Sequence, residues 1–71
     1  MKIIDTRGQK HYSPLIPAIK AICEARKGEQ LEIIMDDAAA FNDLKEYLAE
    51  QQTGFREIYD GEDMRVQFFS D

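Results

Sequence analysis

Along this chain, apolar residues recur every second position, then every third or fourth, and the two periods alternate until a final strand-like stretch. Residues 2–5, Lys-Ile-Ile-Asp, are short and β-branched and run into the turn-prone Asp5-Thr6-Arg7-Gly8, which predicts a first strand. From Pro14 onward Leu15, Ile16, Ile19, Ile22 and Cys23 follow helical spacing, so a helix with one apolar stripe is expected and Cys23 should point into the core. Ser13-Pro14 reads as its N-cap and first residue, because the serine oxygen accepts a backbone N–H and proline has none to leave unpaired. Pro17 still lies in the first turn, where no intrahelical partner is lost. Arg26 and Lys27 suit the negative end of the helix, and Gly28 is expected in its left-handed C-terminal position.

Residues 30–35, Gln-Leu-Glu-Ile-Ile-Met, alternate so that Leu31, Ile33 and Met35 share one face of a second strand. Asp36-Asp37 marks a second helix start, since a carboxylate accepts the free N–H groups there and complements the dipole; a divalent-metal role for the pair is the weaker alternative. Phe41, Leu44 and Leu48 hold the helical period, flanked by Ala40 and Tyr47, and Gly54 is expected to close the helix. Two strand-like runs, FREIY and MRVQFF, then flank the hairpin signal Asp60-Gly61, with Met64, Val66 and Phe68 alternating inward. The order strand, helix, strand, helix, strand, strand predicts an α+β chain, a two-layer α/β sandwich of a four-stranded mixed sheet with both helices on one face. The other face is expected to be mostly wet, with Phe55, Tyr59 or Phe69 on it, and residues 1–71 are read as one domain.

Composition narrows the function. Seventy-one residues leave room for one two-layer core and one shallow site. Nine Lys and Arg against fourteen Asp and Glu give a formal charge of −5, which repels phosphate backbones and argues against direct nucleic-acid binding. A single cysteine, Cys23, forbids an internal disulfide. The opening residues MKIIDTRG hold no apolar run of signal-peptide length, and nothing approaches the roughly 20 apolar residues of a membrane span, so a cytoplasmic protein without membrane insertion is expected.

The local motifs resemble the TusA/SirA-type family of small sulfur-carrier proteins. The family's first motif has the form D-x-x-G-x-x-C-P-x-P, and Asp5, Gly8 and Pro14 match it in register, with Ser13 before the second proline. Further on, Gly28-Glu29, Asp36-Asp37, Ala39 and Asp43 fall where family members tend to have them. The resemblance implies a bacterial, cytoplasmic protein of the sandwich fold just described. It also implies sulfur-relay partners such as a cysteine desulfurase, a rhodanese-like protein or a transporter protein.

By the same resemblance, the family's cysteine position is His11 and its first proline is Tyr12. In the family that cysteine carries a persulfide to a partner, often toward tRNA thiolation, helped by a helix N-terminus that favours thiolate. An imidazole forms no stable persulfide, so sulfurtransferase activity is expected to be lost, with no catalytic residue, no cofactor and no metal. His11 and Tyr12, with Arg7 and Lys10 nearby, form a candidate partner-docking patch in a non-enzymatic, protein-binding or regulatory member. The alternatives are an active carrier that uses Cys23 or a partner's thiol with His11 moving protons, and a small-ligand or metal module centred on His11.

Overall fold

The computed structural model describes residues 1–70; Asp71, the last residue of the expected domain, lies outside them. Six elements follow the expected order: β1 (Lys2–Asp5), α1 (Leu15–Glu24), β2 (Gln30–Met35), α2 (Ala38–Glu50), β3 (Phe55–Asp60) and β4 (Asp63–Phe69). The sheet order is β1-β2-β4-β3, with β1 parallel to β2 and both β2/β4 and β3/β4 antiparallel. Since β1 and β2 are parallel and each leads into a helix, both helices start at the same end of the sheet.

Strand alternation decides the layers. Leu31 pairs with Phe68, Ile33 with Val66 and Met35 with Met64, so these side chains share one face. Against it pack Ala18 and Ala21 of α1 and Ala40, Phe41, Leu44 and Leu48 of α2, forming one core. Burying a side chain of the size of Phe41 or Leu44 contributes about 1.5–3 kcal/mol, and these residues come mainly from α2 and the two central strands.

The inward face of α1 differs from the expected stripe. Its fully covered residues are the small Ala18 and Ala21, with Leu15, Ile19 and Ile22 partly buried beside them. Ile16 and Cys23, seven residues apart and hence on one side of the helix, both face outward; the expectation that Cys23 points into the core is corrected. Apolar residues occur around most of this helix, and the side that faces the sheet is the one with side chains short enough for close approach.

Both helix ends also differ from expectation. α1 stops at Glu24 and leaves in extended backbone at Ala25 (ψ 144°), so Gly28 caps no helix. Its left-handed φ of +82° instead serves the turn Arg26–Glu29, closed by the Glu29 N–H donating to the Arg26 carbonyl. In α2 the left-handed position is Gln52 (φ +59°), not Gly54. The Thr53 N–H reaches the Leu48 carbonyl at 2.9 Å and the Gln52 N–H the Ala49 carbonyl at 3.0 Å, the paired bonds of a Schellman ending.

The face away from the helices is less wet than expected. Glu32 and Ile34 on the central strand β2 are buried there under long neighbours: Gln67 donates to the Glu32 carboxylate at 2.6 Å and Arg65 lies 3.6 Å from it. Of the three aromatics proposed for this face only Phe69 is on it, because Phe55 pairs with inward Phe68 and Tyr59 with inward Met64. Tyr59 packs edge-on against Phe41 at 5.8 Å between ring centroids. Its hydroxyl donates to Glu57 at 2.6 Å, and Lys45 of α2 donates to both side chains. These bonds hold the Glu57 carboxyl below the usual carboxylate range, through the Tyr59 hydroxyl first and Lys45 second. They raise Lys45 in turn, mainly through Glu57.

Candidate functional site

The segment between β1 and α1 is pinned at both ends and unbonded in its middle. At its start Thr6 is buried, and both its N–H (2.9 Å) and its hydroxyl (2.7 Å) donate to the Ile34 carbonyl, extending the β1/β2 ladder by one residue. The Gly8 N–H donates to the Asp36 carboxylate at 3.1 Å, tying the loop to the connection between β2 and α2. Gly8 itself takes a φ of +76°, which a side chain would strain. Asp37, beside Asp36, accepts the Ala40 N–H at 3.1 Å and is the N-cap of α2.

At the far end Pro14 is buried, and the Ser13 hydroxyl accepts the Leu15 N–H at 3.2 Å. Regular helix begins at Leu15 with Pro14 already in helical backbone, so Ser13 supplies the capping oxygen one residue outside the nominal cap. Between these anchors Gln9, Lys10, His11 and Tyr12 make no hydrogen bond or ion pair among the described residues. Lys10 and His11 are exposed and Tyr12 retains 48% of its surface. In the first turn of α1, Ile16 is 58% exposed and borders a shallow apolar depression with Ser13, Leu15 and Ile19. The loop therefore exposes an imidazole and a phenol ring before the start of α1, with exposed Lys10 ahead of them and exposed Ile16 within the helix.

Arg7 is engaged elsewhere. Its guanidinium clasps the Asp5 carboxylate through Nε (2.9 Å) and Nη2 (2.7 Å) and reaches Asp63 of β4 through Nη1 at 2.7 Å. The Arg7 guanidinium, with the Arg7 N–H as a second donor, holds the Asp5 carboxyl down at about 2, and the two carboxylates push the arginine further up. Asp5 and Gly8 of the motif thus fix the loop's entry, Ser13 and Pro14 its exit, and Lys10, His11 and Tyr12 between them are exposed and unbonded among the described residues. The Arg7 partner Asp63 is 56 residues distant in sequence and carries no motif signal. Ile16 was legible only as a stripe residue. Among the described residues no group of three or more His, Cys, Asp or Glu side chains is placed to hold a metal ion.

A four-stranded open sheet with two helices on one face, and an exposed loop before the first helix, define a two-layer α/β sandwich. The family model of sulfurtransferase TusA matches residues 2–69, and the chain belongs to that family. The crystal structure of a SirA-like protein from Desulfitobacterium hafniense has the same fold, with a TM-score of 0.78 and 22% identity over 100% of both chains. No curated protein matches the sequence significantly. No helix among the described residues is long and apolar enough to cross a membrane.

Proposed function

We propose that this chain is a TusA-family domain that has kept the docking loop and given up the sulfur-carrying atom, and that it binds a sulfur-relay protein without itself transferring sulfur. The partner is a cysteine desulfurase, a rhodanese-like protein or a transporter protein. His11 stands at the position where the family motif has its cysteine, and a ring nitrogen cannot hold a transferable sulfur. The observation that carries the reading is the exposed His11-Tyr12 pair, which makes no hydrogen bond among the described residues. An exposed, unbonded aromatic beside a polar ring supports recognition by a partner protein.

A second reading gains from one specific observation: Cys23 is exposed, so burial does not keep it from reacting. It sits in the last turn of α1, about 12 Å along the helix from its first residue, Leu15, where the His11 loop ends. A carrier role for Cys23 would therefore use a different contact surface from the motif loop.

The two separate by mass. The protein is incubated with a cysteine desulfurase and isotopically labelled cysteine, and intact mass is recorded without reductant. The docking reading expects no sulfur adduct on the native sequence and one adduct on His11→Cys, removed by reductant. A labile adduct on the native protein that disappears in Cys23→Ser overturns it in favour of the second reading.

A further inference from the structure

The sheet ends on one side in β1 and on the other in β3, and the two edges are not alike. β3 runs beside β4 without a bulge, every residue from Phe55 to Asp60 having one opposite it, and it contains no proline. Its hairpin closes through Gly61 and Glu62, with Gly61 at a left-handed φ of +63°. A loop of this length makes the closing residues, Asp60 and Asp63, a hydrogen-bonded pair, and such pairs alternate along an antiparallel ladder. Asp60, Ile58 and Arg56 therefore turn their backbone groups toward β4, while Tyr59, Glu57 and Phe55 turn theirs to the open side. Among the described residues no backbone hydrogen bond is made to that open side.

An open row of this kind is a template for another strand, and charged residues on an edge ordinarily keep it from pairing. On β3 the charges do the reverse. Strand alternation places Arg56, Ile58 and Asp60 on the face away from the helices. Arg56 and Asp60 are both exposed and make no ion pair among the described residues. When two such strands run antiparallel about a two-fold axis at Ile58, Arg56 of each lies opposite Asp60 of the other, and Ile58 faces Ile58. Glu57 then faces Tyr59, so the outward backbone groups of both bond across the seam.

The match is specific to this register and this edge. Opposite residues must share a face, so the neighbouring registers are centred on Glu57 or Tyr59. The first sets Glu57 against Glu57, and the second sets Asp60 against Ile58. β1 offers no equivalent, because its Lys2 and Asp5 lie on opposite faces and Asp5 is already held by Arg7. The flank of α2 beside β3, marked by the Lys45–Glu57 contact, carries Ala38, Asn42 and Ala49 at helical spacing and adds no acidic side chain there.

We propose that β3 pairs antiparallel with β3 of a second copy of this chain, joining the two sheets into one through Arg56–Asp60 contacts on either side of Ile58. β1 and the His11 loop that follows it lie toward the far edge of the sheet and stay uncovered. One edge strand is a small contact, so the association belongs to the weak, transient class.

Sedimentation equilibrium of the full chain from about 10 μM to about 1 mM covers that range. The native sequence is expected to dimerise reversibly. Arg56→Asp and Asp60→Arg each turn both symmetry-related contacts from opposite to like charge, and each is expected to raise the dissociation constant about tenfold or more. An equimolar mixture of the two variants brings opposite charges together again at both contacts and is expected to restore association. Amide spectra of each variant show that the fold is kept. Hydrogen exchange on the native chain needs no substitution: the Glu57 and Tyr59 amides slow as concentration rises, while those of Lys10 and His11 do not. A chain that stays monomeric up to about 1 mM overturns the proposal. So does a dimer that leaves the Glu57 and Tyr59 amides unprotected, or a mixture of the variants that associates no better than either alone.

Discussion

Gln52 is the place where this chain departs from the residue its backbone prefers, and replacing it gives a quantitative test of the fold. At a φ of +59° it occupies the left-handed C′ position of α2, and its exposed side chain makes no hydrogen bond among the described residues. A non-glycine residue there carries a steric cost of about 1–2 kcal/mol. Glycine removes that cost but gives the unfolded chain roughly 0.4–1 kcal/mol more conformational entropy to lose. The difference leaves Gln52→Gly more stable by about 0.5–1 kcal/mol. For a chain of 71 residues that corresponds to a rise in melting temperature of roughly 3–7 °C. Thermal unfolding followed by far-UV circular dichroism measures it, with Gln51→Gly as the control. Gln51 has ordinary helical backbone (φ −79°), so glycine there should lower stability by about 0.5–1 kcal/mol. A melting temperature that falls for Gln52→Gly, or rises equally for both variants, would refute the assignment of strain to this one residue.

Leu44, with none of its surface exposed and at the centre of the α2 contribution to the core, should lose about 2–4 kcal/mol of stability on Leu44→Ala, read from the urea midpoint at unchanged slope. The Arg7 clasp makes a pH prediction: because folded Asp5 is held at about 2, the unfolded chain takes up its proton first as the pH falls. Stability supplied by this contact is complete above the ordinary carboxylate pKa and drains away between about pH 4 and pH 2. Urea midpoints measured across that range should fall more steeply for the native sequence than for Arg7→Ala; parallel curves would contradict the clasp.

Much of the architecture was legible because local and long-range signals agreed. The alternation of Leu31, Ile33 and Met35, the Asp37 cap and the Asp60-Gly61 turn each predicted the element that forms. What misled was local plausibility where tertiary contact decides. Ile16 and Cys23 looked like core residues on an amply apolar helix, yet Ala18 and Ala21 hold the buried side because they are small. Gly28 and Gly54 looked like helix ends, but a turn used one and a glutamine displaced the other. Phe55 and Tyr59 changed layers because strand parity is fixed by pairing with β4, which composition does not reveal. The candidate loop was placed by its Asp5, Gly8 and Pro14 punctuation. The diversion of Arg7 to Asp63 needed the sheet to be assembled first.

The two anchors of the β1–α1 loop have a further consequence. Thr6 and Gly8 at one end and Ser13 and Pro14 at the other are held by bonds or burial, while among the described residues no internal bond depends on residues 9–12. Identity at position 11 is thereby uncoupled from foldability: exchanging one reactive atom for another there leaves the sandwich indifferent. A substitution at this point therefore needs no compensating change in the interior.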